Sequence, residues 1–222
     1  DKRVAVIGTG ATAIQCVPFV GEYAKQLYVF QRTPSSVDLR GNSPTDSNWA
    51  KTLKPGWQRA RRENFNAMVT GQPVDQDLVH DGWTEIFRNL GRMSPNRKVA
   101  ASKREAALLT ELADFQKMNG IRARVDDTVK NPDVADKLKP WYRQFCKRPT
   151  FNDDYLPTFN RPNVKLIDTS DNQGVEEITA TGVIANGVEY DVDCIIFATG
   201  FEVGTAWTRR AGYDPIGKDG VR

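Results

Sequence analysis

The sequence predicts an α/β fold built on a parallel sheet, interrupted by a large helical insertion and completed by a β-meander. Three observations carry this. The apolar run Val4-Ala5-Val6-Ile7 leads through Gly8-Thr9-Gly10 into Ala11-Thr12-Ala13-Ile14-Gln15, the order of a strand, a glycine turn and a helix. A second apolar run, Gln26-Leu27-Tyr28-Val29-Phe30, follows one helix later and makes a β-α-β unit, whose crossover implies parallel strands. A last apolar run from Asp193 to Phe197 ends in Ala198-Thr199-Gly200.

In chain order, the first strand is expected over Arg3–Ile7 and the first helix over Ala11–Gly21, with Pro18 an objection because proline is costly inside helices. From about Asp38 to Phe145 apolar residues recur at helical spacing, as in Trp57/Ala60/Phe65 and Ala106/Leu109/Leu112/Ala113. Pro55, Pro73, Pro95, Pro132 and Pro140 punctuate this segment. After Pro149 strand character returns at Asn163–Asp168. Val175–Ala180, Gly182–Ala185 and Val188–Val192 read as a meander with a hairpin turn at Asn186-Gly187. The expected organisation is a discontinuous nucleotide-binding domain over 1–37 and 146–204, a helical insertion over 38–145, and a return toward another region over 205–222.

Bulk properties narrow the class. Of 222 residues, 39% are hydrophobic and 27% charged, as in a rather polar globular protein. A net charge of +3 is too small to argue for a nucleic-acid partner, and Arg59, Arg61 and Arg62 read as solvated helix faces. Cys16, Cys146 and Cys194 are odd in number and far apart. That argues against a disulfide framework or a zinc site and suits a reducing, cytoplasmic compartment. No apolar stretch approaches the roughly 18–20 residues that span a bilayer. The chain starts at Asp1 without a methionine and ends in the polar stretch Gly217–Arg222, so it is expected to be a segment of a longer protein.

The glycine turn is chemically specific. Gly8 permits the tight turn out of the strand, Gly10 lets the backbone approach a pyrophosphate, and Ala13 allows close helix–strand packing. A helix starting near Ala11 aims free N–H groups and its positive dipole end at phosphate. A tight turn without a ligand would use similar residues, so the second strand matters. An NAD site places a carboxylate about twenty residues past the glycines. Here the strand ends Phe30-Gln31-Arg32-Thr33-Pro34. Arg32 can offer a guanidinium fork and Thr33 a hydroxyl to a 2′-phosphate, which reads as NADP(H). Further on, Lys147-Arg148-Pro149 follows the aromatic run Trp141-Tyr142-Arg143-Gln144-Phe145. Such a pair is usually surface charge, but lysine suits a phosphate and arginine a planar anionic ring system.

These residues, with Tyr155-Leu156-Pro157-Thr158-Phe159-Asn160-Arg161-Pro162-Asn163-Val164 and Phe197-Ala198-Thr199-Gly200-Phe201-Glu202, resemble the NADPH-binding domain of type I Baeyer–Villiger monooxygenases. The resemblance implies a Rossmann-like, two-dinucleotide-binding flavoprotein. Thr9, Gly10, Ala11, Thr12, Ala13 and Gln15 would line the NADP pyrophosphate and nearby ribose, and Arg32, Thr33 and Lys147 would hold the 2′-phosphate. Arg148 matches the family's active-site arginine, which lies near the flavin and stabilises its anionic oxygen adduct. Thr199 and Gly200 match the segment that contacts FAD. The implied reaction uses NADPH, FAD and O₂ to convert a ketone to an ester or lactone.

The chain departs from that pattern in several places. It lacks an FAD-binding glycine motif and the family's Phe-x-Gly-x-x-x-His fingerprint. The single histidine, His80, reads as a surface or helix-end residue. The isolated segment is therefore expected to bind NADP(H) at best, without turnover, in the absence of its FAD domain. Two other readings stay open: a flavin monooxygenase that oxidises nitrogen or sulfur, and a non-catalytic NADP(H)-binding module. A disulfide reductase is disfavoured, because no cysteine pair stands at redox spacing.

Overall fold

The computed structural model describes residues 1–93, 102–202 and 204–221. Pro95 and Arg222, named in the sequence expectations above, lie outside them. The chain opens with β1 (Arg3–Ile7), α1 (Ala11–Tyr23) and β2 (Gln26–Gln31), as the β-α-β pattern predicts. β3 (Val37–Asp38) then leads into α2 (Ser47–Thr52), α3 (Trp57–Val69), α4 (Gly82–Met93), α5 (Lys103–Thr128) and α6 (Pro132–Leu138). The remaining elements are β4 (Thr150–Phe151), α7 (Tyr155–Thr158), β5 (Val164–Asp168), β6 (Glu177–Ile178), β7 (Gly182–Ala185), β8 (Val188–Asp191), β9 (Cys194–Phe197) and α8 (Trp207–Ala211).

The principal sheet runs β5-β2-β1-β9 and every pair in it is parallel. Strand order therefore departs in opposite directions from β1, to β2 on one side and β9 on the other. Such a switch point opens a crevice at the carboxyl ends of the strands, where α/β sheets bind ligands. Alternation along the strands sorts the two faces. Val4, Val6, Leu27 and Val29 face a helical layer that supplies Ala13, Ile14 and Val17 from α1 and Tyr155 and Leu156 from α7. Ala5, Ile7 and Phe30 face the antiparallel meander β6-β7-β8 through Val183 and Ala185. Tyr190 seals that second face edge-on to Tyr28 and Phe30, with centroids 5.1 and 5.5 Å away. The meander's turn has Asn186 at φ 54° and Gly187 at φ 70°, the two left-handed positions its Asn-Gly pair suits.

The helical segment is anchored into this core. Val125 and Val129 of α5 and its C-cap, with Ala135 and Leu138 of α6, lie in the same buried cluster as β1 and β2. Both ends of the segment are also tied together by a short parallel pairing of β3 with β4, which periodicity alone did not predict. Two-residue strands carry too little alternation to be read from sequence. Arg124 of α5 donates to the carbonyls of Val37 (3.1 Å) and Asn152 (3.2 Å), clamping the same junction.

Pro18 sits inside α1 at a quantifiable local cost: the Ile14 carbonyl loses its helical donor. The Asn152 side-chain amide replaces that donor at 3.1 Å, while its Oδ1 accepts from the amides of Asp154 and Tyr155 at the start of α7. One side chain thus repairs one helix and starts another. No described helix is long and apolar enough to cross a membrane.

Candidate nucleotide-binding site

The two glycines of the first turn do different work. Gly8 has φ +107°, and a Cβ there would stand 2.5 Å from the Ala198 carbonyl oxygen and 3.3 Å from the Thr199 Cα. It is glycine because the turn after β1 presses on the Ala-Thr-Gly segment after β9. Gly10 has φ −76° and ψ −170°, open to any residue, and a Cβ there would meet nothing within 4 Å. The space beside Gly10 is free for a ligand. Ala13 is fully buried against the sheet, as close packing requires. The N-terminus of α1 has no side-chain cap and no acidic residue in its first turn. Its free amides and positive dipole end therefore favour an anion. Ala11 is half-buried, while Thr12 and Gln15 are exposed; the Gln15 amide donates back to the Ala11 carbonyl at 2.9 Å.

The loop after β2 is lashed to this turn. The buried Thr9 hydroxyl donates to the Thr33 carbonyl at 2.8 Å, and Ser35 Oγ donates to the Thr9 carbonyl at 2.5 Å. Thr9 is thus committed to the scaffold through its side chain. Tyr142 grips the same loop: its hydroxyl accepts from the Ser36 amide at 2.9 Å and donates to the Pro34 carbonyl at 3.0 Å. Thr150 closes it from the other side, donating its amide (3.1 Å) and hydroxyl (2.7 Å) to the Ser36 carbonyl. Sequence reasoning did not assign Tyr142 or Ser35 a role. The signal for Tyr142 was the aromatic run directly preceding the basic pair.

This lashing brings two cations together. Arg32 and Lys147 are both exposed, and among the described residues neither has a carboxylate partner. The Lys147 ammonium lies 5.4 Å from the Tyr142 ring centroid. Its pKa is lowered from the ordinary lysine value, first by desolvation and then by repulsion from Arg32. Two neighbouring cations without a carboxylate partner among the described residues are chemically suited to a phosphate-like anion. Arg32 and Thr33 border a cleft of about 780 Å³.

Arg148 is exposed and also without a partner among the described residues, and Pro149 behind it is buried. Thr199 and Gly200 are exposed, with Gly200 at φ +97°. The structure thus unites the glycine turn with Thr199 and the Arg32–Thr33 loop with Lys147, while Arg148 faces solvent. His80 is exposed, and its amide donates to Asp77 at 2.8 Å. Among the described residues no group of three His, Cys, Asp or Glu side chains could hold a metal.

The fold defines a Rossmann-like α/β unit carrying a long helical segment. By sequence and fold the chain is homologous, over its whole length, to one segment of Baeyer–Villiger monooxygenases. It is 54% identical over 222 residues to a Baeyer–Villiger monooxygenase of Stachybotrys chlorohalonatus, covering 100% of this chain and 35% of that protein. The structure of a polycyclic ketone monooxygenase from Thermothelomyces thermophila superposes with a TM-score of 0.75 at 43% identity, covering 90% of this chain and 33% of that one. OTEMO in complex with FAD and NADP superposes with a TM-score of 0.66 at 30% identity, covering 100% of this chain and 41% of that one. The chain thus spans about a third to two fifths of the proteins it matches. No protein-family model matches it.

Proposed function

We propose that this chain is the NADP(H)-binding part of an FAD-dependent Baeyer–Villiger monooxygenase that inserts one oxygen atom from O₂ into a ketone. The observation that carries the reading is the unpaired Arg32–Lys147 couple beside an uncapped helix N-terminus. That arrangement matches the two anionic ends of an NADP adenosine moiety, its 2′-phosphate and its pyrophosphate. In this reading residues 1–37 and 146–204 form the nucleotide domain, 38–145 the helical insertion, and 205–222 the return toward an FAD domain. The protein is read as cytoplasmic.

The chain's residues divide the work. The amides of Ala11, Thr12 and Ala13 and the open face of Gly10 receive the pyrophosphate, with Gln15 beside the ribose. Arg32, the Thr33 hydroxyl and Lys147 hold the 2′-phosphate. Thr199, packed on the glycine turn, and Gly200 after it border the flavin side. Arg148 supplies a permanent positive charge there, and a fixed cation in a site closed to water stabilises developing negative charge strongly. FAD, when bound, supplies the electron transfer to oxygen, and the protein supplies position and field.

The test is stoichiometric. The polypeptide that the gene encodes, loaded with FAD, is reduced anaerobically with NADPH and then exposed to oxygen and a ketone. Ester or lactone formation with NADPH consumed supports the reading. Conversion of amines or sulfides with ketones untouched favours an N- or S-oxidising enzyme instead. NADPH binding with no oxygen transfer leaves a non-catalytic module.

A further inference from the structure

Among the described residues, Trp141 is the one aromatic of the helical segment that borders the Arg32–Thr33 cleft without being buried or hydrogen-bonded into the scaffold. It is 76% exposed, an unusual state for a tryptophan in a structured position. It is nevertheless held. The Arg122 guanidinium lies over the ring, 4.4 Å from its centroid. Arg122 is itself tethered to the Pro140 carbonyl at 2.9 Å and to Asn119 Oδ1 at 2.6 Å. A large aromatic plate is thus held by a guanidinium, borders the cleft and stays mostly exposed.

The cleft border is mixed in charge: Arg32, Lys137 and Lys139 are cations and Asp133, Asp136 and Asp168 carboxylates, with Lys139 paired to Asp136. A ligand with an anionic end for Arg32 and a flat, neutral, hydrogen-bond-donating end suits such a border. We propose that Trp141 is the stacking platform for the adenine ring of the bound nucleotide. The inference rests on the NADP(H) reading above and extends it. In that dinucleotide the ribose bearing the 2′-phosphate also bears the adenine, so a phosphate held by Arg32 and Lys147 leaves the base within one ribose of the cations. Aromatic stacking tolerates any base edge and works through area and dispersion, which an exposed indole offers.

The experiment uses adenosine 2′,5′-bisphosphate as the probe on the full polypeptide loaded with FAD. Unsubstituted protein binds it and its tryptophan fluorescence is quenched. Trp141→Leu binds about tenfold more weakly, the loss expected for one stacked base. Trp141→Phe keeps most of the affinity but loses the quenching. In turnover, Trp141→Leu raises KM for NADPH and leaves kcat unchanged, because adenine binding is the same in ground and transition states. A folded Trp141→Leu variant that binds as tightly as the parent overturns the proposal. So does quenching that persists in Trp141→Phe, a measurement that stands even if the leucine variant does not fold. Failure of the unsubstituted protein to bind the probe and NADPH overturns the NADP(H) reading itself, and the platform with it.

Discussion

Gly8 and Gly10 stand two residues apart in one motif, yet their surroundings separate a folding role from a binding role. Gly8→Ala forces a side chain into left-handed backbone and onto the Ala198 carbonyl. It should cost at least about 1–3 kcal/mol of stability, visible as a lowered Tm. Gly10→Ala meets no protein atom and leaves Tm nearly unchanged, but should weaken NADPH binding by crowding the phosphate. The reverse pattern would show that the turn is not a phosphate cradle. At Arg32, alanine should weaken NADPH far more than NADH, since only the former carries the 2′-phosphate. Equal losses in parallel binding titrations would remove the basis for choosing NADP(H).

At the scale of elements, joints between segments carry the specificity of the fold. Asn152→Ala orphans the Ile14 carbonyl opposite Pro18 and removes the acceptor for the Asp154 and Tyr155 amides, which should cost about 1–3 kcal/mol in chemical denaturation. Adding Pro18→Ala restores a backbone donor to Ile14 and should recover part of the loss; full additivity of the two changes would contradict the repair. The loop between α3 and α4 is knotted on Asp77. Burial pushes its carboxyl upward, but bonds from Thr84, the His80 amide, Arg88 and the Val79 amide prevail and hold it at about 2. A carboxylate depressed below its ordinary value of about 4 stabilises the fold above that pH. This contribution should fade as pH falls from about 4 to about 2. Asp77→Asn should flatten that part of an acid-unfolding curve monitored by circular dichroism.

For the whole molecule, one buried lysine ties the long helix α5 to α4 and to β3. Lys117 of α5 lies between Asp38 of β3 and Glu85 of α4, with little exposure. Desolvation alone would lower its pKa, but the two carboxylates raise it above the ordinary value, so it stays charged. Lys117→Met leaves two carboxylates without their cation and should cost about 3–5 kcal/mol in denaturant unfolding. Replacing Asp38 and Glu85 by their amides in the same variant should return much of it.

What was readable from the chain followed physical range. The β-α-β unit, the meander and the Asn-Gly hairpin were readable because periodicity and turn chemistry are local properties of a dozen residues. The tie of β3 to β4 was not, because two-residue strands have no period and their pairing spans the whole insertion. The pattern Gly8-Thr9-Gly10 with Arg32-Thr33 pointed to NADP(H) because a dinucleotide's pyrophosphate and ribose contacts are both encoded within one β-α-β unit. Lys147, by contrast, became a partner of Arg32 only through the lashings of Tyr142 and Thr150 to the Ser36 loop. Trp141 read as one member of an aromatic run, and only its exposure beside the cleft set it apart from core. The sequence by itself determined the elements and the chemistry of the first phosphate turn. The tertiary structure decided which distant cation and which aromatic stand beside the proposed site. Those choices depend on strand order and loop contacts far apart in the chain, and no local pattern encodes them.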